Sequence, residues 1–296
     1  MMTAPHPVSS RPAPAKTALD MPTHVDHAHL RVGDLAMVSA WYQTILGLTA
    51  IDSSPSGQTL GVAGRPLLTL TEAKGAAPQP RQAPGLFHTA FLVPDRPALA
   101  AWLAHAAHAG VALQGASDHL VSEAIYLADP EGNGIEVYRD RSRADWTYLP
   151  DGKVAMATER LDLQALYDEA DKGPWGGMQP STAIGHIHLQ VSDIPTADHF
   201  FRDVLGLDLM ATYPGASFFA SGRYHHHVAA NIWNSRRAGP RSAGMAGLAE
   251  YTLRFDTTER LDAALAALDR MEIAVTRSGR TASLLDPWGI GLRVSA

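Results

Sequence analysis

Polar and apolar positions alternate over residues 24–32 and predict a strand, and residues 34–46 then carry an apolar stripe at Leu35, Val38, Trp41, Tyr42 and Ile45, with Gly47 stopping the helix. Short strands are expected at 58–62 and 66–70. After a connector over residues 75–85 punctuated by prolines, the pattern restarts. Residues 86–93 read as a strand, and 96–109 as an Ala-rich helix bearing Leu99, Trp102 and Leu103, ended by Gly110. Strands at 124–127 and 134–138 flank the turn Asp129-Pro130-Glu131-Gly132. The first half of the chain is therefore two strand-helix-strands modules.

The second half repeats this plan. His27, Asp34 and Leu48 match His186, Asp193 and Leu207, each 159 residues later. Asp129-Pro130-Glu131-Gly132-Asn133-Gly134-Ile135-Glu136 matches Asp286-Pro287-Trp288-Gly289-Ile290-Gly291-Leu292-Arg293, 157 residues later. Register held over such stretches indicates duplication. Gly85-Leu86-Phe87-His88 against Gly247-Leu248-Ala249-Glu250 is the weakest of the alignments. The pattern divides the chain into a tail over 1–21, a first domain over 22–144, a crossover linker over 145–182 and a second domain over 183–296. Within the linker, a helix-like run at 161–170 precedes Gly173, Pro174, Gly176, Gly177 and Pro180.

Composition narrows the function. The chain has 296 residues, enough for two domains with their own cores, and no cysteine, which excludes thiolate metal sites, thiol nucleophiles and disulfides. Thirty acidic against 24 Lys and Arg side chains give a net charge of -6, with no basic block beyond pairs such as Arg236-Arg237, which argues against nucleic acid as a partner. The Pro-, Ala- and Ser-rich opening lacks a secretory apolar core and is too polar to span a bilayer. We expect a flexible tail, a cytoplasmic location and no membrane association.

The chemistry concentrates where the repeats differ. At three matched positions the first half carries His27, His88 and Glu136, and the second His186, Glu250 and Arg293. Two imidazoles and a carboxylate can hold a divalent metal on one face and leave open positions for chemistry, whereas Glu and Arg brought together form a salt bridge. The first domain is expected to be catalytic and the second degenerate.

With these residues, and with the stretches 115–126 and 129–136, the chain resembles the vicinal-oxygen-chelate superfamily of glyoxalases, bleomycin-resistance proteins and extradiol dioxygenases, in particular its two-domain catechol 2,3-dioxygenase branch. The resemblance implies an α+β fold of tandem domains, each of two paired βαβββ modules forming a curved sheet. It places metal ligands at His27, His88 and Glu136, although extradiol enzymes of this kind more often use their second domain. The implied function is ring cleavage of a small aromatic diol by O2 at a mononuclear Fe(II), with Mn(II) as the alternative ion, in a chain that could form homo-oligomers. Tyr126, ten residues before Glu136, takes the family position of a tyrosine that bonds the substrate oxygen. His119 takes that of an acid-base group.

Other readings compete. His29 shares a strand face with His27 and is the alternative ligand. His225-His226-His227 is a rival imidazole cluster, of which strand alternation would aim only His225 and His227 into one pocket. Trp175, Phe218, Phe219 and Tyr224 could line a pocket or pack. A glyoxalase-type isomerase, a ligand-sequestering resistance protein and a metal-free structural paralogue are the alternative functions.

Overall fold

The computed structural model describes residues 17–171 and 173–296. Four modules with the same internal order make up the chain. The first contains β1 (Thr23–Val32), α1 (Leu35–Thr44), β2 (Thr49–Ser54), β3 (Gly57–Val62) and β4 (Arg65–Glu72). The second contains β5 (Gly85–Val93), α2 (Arg96–His108), β6 (Gly115–Asp118), β7 (Ser122–Ala128) and β8 (Gly134–Asp140). A connector follows with β9 (Glu159–Arg160) and α3 (Leu163–Asp168). The third module contains β10 (Ala183–Gln190), α4 (Ile194–Asp198) continuing into a π-helical turn His199–Val204, β11 (Asp208–Tyr213), β12 (Ala216–Ala220) and β13 (Val228–Asn231). The fourth contains β14 (Gly247–Phe255), α5 (Thr258–Arg270), β15 (Thr276–Ser278), β16 (Thr281–Leu285) and β17 (Gly291–Ser295).

Each module's helix starts at the same point after its first strand, because a short polar side chain caps it there. Asp34, Asp95, Asp193 and Thr257 accept the backbone N–H of Met37, Ala98, Thr196 and Arg260, satisfying amides that the first helical turn leaves free. The strands β2 and β6 are absent from the sequence reading. β2 is exposed along its whole length and β6 reads Gly-Ala-Ser-Asp, so neither displays the alternation that burial imposes.

In every module the first strand pairs in parallel with the last. The modules then join through their first strands, and they join across the sequence halves. The order β15-β16-β17-β14-β1-β4-β3-β2 unites the fourth and first modules, and β11-β12-β13-β10-β5-β8-β7-β6-β9 unites the third and second. β1 runs antiparallel to β14, and β10 antiparallel to β5. The fold is the expected pair of duplicated, curved module sheets, but the two modules of one sequence half do not share a sheet.

One hydrophobic cluster includes Leu30, Leu68 and Leu253 of the first sheet with Phe91, Val137 and Leu189 of the second, so both sheets contribute to a common core. Further ties run between the first and second modules. Trp102 Nε1 donates to the Ile45 carbonyl at 3.1 Å, and Glu131 accepts the N–H groups of Gly33 and Asp34, each at 2.8 Å. Most of the segment read as a tail lies outside the described residues, but its end is packed: 18–20 form a 3-10 turn, and Ala18 and Met21 are buried. Among the described residues, no helix is long and apolar enough to cross a membrane.

Buried Glu123 pins α2 against β7 and β8. Its carboxylate accepts from Arg96 Nε and Arg139 Nε, each at 2.9 Å, and from Arg141 at 3.1 Å. Removing one partner of such a network strands the charges it neutralised. Glu123→Ala should lower the unfolding free energy by about 3 kcal/mol, read from urea midpoints at unchanged slope.

Candidate metal centre

The pairing of β10 with β5 sets the site. His188 lies opposite His88 and His186 opposite Ala90, while on the other flank of β5 Ala90 lies beside Glu136 of β8. Residues two apart on a strand face the same way, so His186 and His188 approach His88 and Glu136 from one side. Gly185 permits this approach, since a Cβ there would collide with the Tyr138 hydroxyl.

His88 Nε2 lies 2.9 Å from Glu136 Oε2, His186 Nε2 lies 3.2 Å from the same oxygen, and the two imidazole nitrogens are 3.3 Å apart. All three side chains are buried, none more than 7% exposed. Two ligands about 2.1 Å from a shared cation and at right angles or slightly wider stand about 3.0–3.3 Å apart, so these separations fit one divalent ion. Burial lowers the His186 pKa to about 4 against the pull of Glu136, leaving the ring neutral. Burial alone would raise Glu136, but the imidazoles of His186 and His88 outweigh it and hold the carboxyl well below its usual range. A neutral imidazole and an ionised carboxylate are the forms a cation binds. The grouping is a buried His/His/Glu site able to chelate a divalent metal.

The structure brings His186, not His27, to His88 and Glu136. His27 sits in the other sheet, where its Nε2 and the Thr69 hydroxyl are 3.0 Å apart, and His29 makes the same contact with Thr71 at 2.8 Å. The reason is the cross-pairing: β1, which carries His27, joins β14 rather than β5. The first sheet repeats the register of the second with other residues. His29 lies opposite Glu250 as His188 lies opposite His88, and Thr252 lies beside Arg293 as Ala90 lies beside Glu136. There Arg293 Nε donates to Glu250 Oε1 at 2.9 Å, the expected ion pair. Its side chains are 47% and 23% exposed, so it is a surface pair.

Tyr126 of β7 lies directly opposite Glu136. Burial, with Glu136 adding to it, pushes its hydroxyl well above 10, so it stays protonated. His119 Nδ1 lies 2.7 Å from the Ala157 carbonyl, which can only accept, and His119 Nε2 lies 2.7 Å from the Tyr126 oxygen. In its neutral form the ring carries its proton on Nδ1, and Nε2 accepts from the Tyr126 hydroxyl.

The three consecutive histidines do not form a strand, because β13 begins only at Val228, and alternation does not apply to them. It is His226 that lines the cavity at the site. His227 contacts the Ala18 carbonyl and His225 contacts Asp140 Oδ1 at 2.9 Å. With the carboxylate accepting from His225 Nε2, the Nδ1 of the neutral form of that ring is an acceptor. It takes the proton of His226 Nδ1, 2.7 Å away, and leaves His226 Nε2 with its lone pair. Burial, reinforced by the neighbouring histidines, lowers the His226 pKa well below the usual value, so its ring is neutral.

The cavity over the site has a volume of about 720 Å³. His188, His226, Phe87 and Trp233 line it; the sequence reading gave His188 and Phe87 no site role, and held His226 only as the member of the rival triplet that strand alternation would turn away from the pocket. His188 was legible as the repeat partner of His29, sharing a strand face with His186. Of the aromatics considered from sequence, Phe218 lines the cavity, Phe219 and Tyr224 are core, and Trp175 stacks on His105 at 4.0 Å.

The family model for the Glyoxalase/Bleomycin resistance protein/Dioxygenase superfamily matches residues 24–137 and 183–294. The chain is 39% identical over 250 residues to the catechol-2,3-dioxygenase of Bacillus subtilis (strain 168), covering 83% of this chain and 87% of that protein. A solved Bacillus subtilis subsp. subtilis str. 168 protein shares the fold with a TM-score of 0.63 at 14% identity, over 92% of this chain and 84% of that one. Glyoxalase I from Zea mays shares it with a TM-score of 0.56 at 16% identity, over 94% of both chains. Four matching modules, two joined sheets and a sequence match across most of the chain lead to one conclusion: this protein belongs to the glyoxalase/bleomycin resistance protein/dioxygenase superfamily.

Proposed function

We propose that the chain is an extradiol dioxygenase, cleaving the ring of a catechol-type substrate with O2. The observation that carries this reading is the buried grouping of His88, Glu136 and His186 at a cavity sized for a small organic ligand. Two imidazoles and one carboxylate on one face are the donor set of non-haem Fe(II) oxygenases. The match to a catechol-2,3-dioxygenase supports the same reaction class. Manganese suits the same ligands; Fe(II) is our assignment. When bound, the ion would supply the one-electron chemistry that couples the diol to dioxygen.

The protein's own groups have separable tasks in this reading. His226 Nε2, held as the lone-pair nitrogen by His225 and Asp140, can take a proton from a diol hydroxyl. Tyr126, protonated and buried, has one hydroxyl proton, and can turn it from His119 Nε2 to the resulting anionic oxygen when substrate binds. His119, its Nδ1 proton committed to the Ala157 carbonyl, orients Tyr126 and can exchange a proton with it through Nε2. Phe87, Phe218 and Trp233 shield the site from bulk water.

Protein reconstituted anaerobically with Fe(II) should bind one iron per chain and consume one O2 per catechol, giving a yellow ring-opened product. Iron retention without oxygen uptake for any diol would overturn the proposal. His186→Ala should cost at least about 10-fold in metal affinity, whereas His27→Ala should leave metal content unchanged; the reverse result would return the ligand to the other sheet. Tyr126→Phe should keep its iron and lose about 10²-fold in kcat, measured by the initial rate of oxygen uptake.

A further inference from the structure

The connector between the second and third modules, a plain crossover in the sequence reading, builds one wall of the cavity. Leu149, Lys153, Val154 and Met156 line it together with Tyr213 and Trp233 of the third module. The wall is fixed in place. The Leu149 N–H donates to the Lys153 carbonyl at 2.7 Å and the Ala155 N–H to the Thr147 carbonyl at 2.8 Å, closing a hairpin-like turn. The Val154 N–H donates to the Met210 carbonyl of β11 at 2.8 Å, and the Tyr148 hydroxyl to the Arg223 carbonyl at 2.7 Å. The connector is thus strapped to the third module while Ala157 holds His119.

Two features of this wall point to a ligand. Leu149, Tyr213 and Trp233 are large apolar side chains 45–55% exposed, yet all line this one cavity, and an exposed apolar cluster around a concave site marks a ligand surface. In addition, the lining has a single Lys or Arg, and Lys153 Nζ is 2.6 Å from Asp151 Oδ2. The acidic lining residue, Glu136, belongs to the metal centre. At about 720 Å³ the cavity falls within the range that takes a drug-sized ligand, beyond the need of a single ring.

We infer that the connector segment 147–158 is the substrate selector, and that it favours catechols carrying a neutral apolar ring substituent, alkyl or aryl, over catechol itself and over carboxylated diols. The inference rests on the dioxygenase reading for the identity of the diol. An apolar substituent projecting outward from a diol held at the metal centre would displace water from Leu149, Met156, Tyr213 and Trp233. A carboxylate in the same place would lose hydration against apolar walls, with the one cation already paired.

Binding and turnover are to be measured separately on the full chain with Fe(II): dissociation constants by calorimetry under argon, and kcat/KM by oxygen uptake, for catechol, 3-methylcatechol, 2,3-dihydroxybiphenyl and 3,4-dihydroxybenzoate. Affinity should rise at least about 10-fold from catechol to the biphenyl and be weakest for the benzoate. Met156→Ala, and Leu149→Ala at an exposed position where folding is not at issue, should each cut the biphenyl's advantage over catechol several-fold. Equal affinity for catechol and the biphenyl would overturn the selector. So would tight benzoate binding abolished by Lys153→Ala. Selective binding of the biphenyl with no oxygen uptake would uphold the selector and reject the dioxygenase reading, whereas turnover of every diol at equal affinity would do the opposite.

Discussion

The antiparallel pairing of β5 with β10 is the constraint on which the site depends. It sets His188 opposite His88 and brings His186 beside Glu136, although these residues are contributed by modules on either side of a long connector. Main-chain hydrogen bonds fix this register, and a slip of one residue would turn His186 and His188 to the opposite face. The buried carboxylate is tolerable only in that register. Without the two imidazoles, Glu136 would be an uncompensated charge inside the sheet.

The surroundings of the three ligands follow from the same strand order. β7 lies beside β8, so Tyr126 falls opposite Glu136, and the turn before β7 supplies His119. Behind β10 the segment ahead of β13 carries His225 and His226, which connect the cavity to Asp140 at the end of β8. Proton positions along both chains of contacts are set by groups that can only accept, the Ala157 carbonyl in one and the Asp140 carboxylate in the other. The fold thereby selects one tautomer of each neutral ring.

The module plan, the duplication and two of the three grouped residues were legible in the sequence; the partner of each module was not. A βαβββ unit advertises its own strands and helix through periodicity, but its first strand can join any other first strand. β1 and β10 both bear His-x-His at the same place, so His27 and His186 were equivalent by pattern. Burial differs: every residue of β10 is buried, whereas β1 alternates with half-exposed positions. The letters hint at this, since Ala-Ile-Gly-His-Ile-His-Leu-Gln is more apolar than Thr-His-Val-Asp-His-Ala-His-Leu. The second hint was that a half read as degenerate had kept His186. The error over the histidine triplet had another source, the assumption of strand geometry in a segment that is irregular.

Cross-pairing also explains why one sheet holds the chemistry. The second and third modules are consecutive in the chain and share a sheet, so the connector joining them must pass over the sheet they build. In doing so it closes the cavity and supplies the carbonyl that orients His119. The first and fourth modules lie at opposite ends of the chain, and no such connector joins them. Their equivalent face keeps His27 and His29 only half-buried and an ion pair that water reaches. An exposed pair of this kind contributes about 0–1 kcal/mol, and neither charge depends on the other for its tolerance. The covered site could not lose one ligand without stranding another, whereas the open one could exchange His and Glu for Glu and Arg while its strands stayed paired.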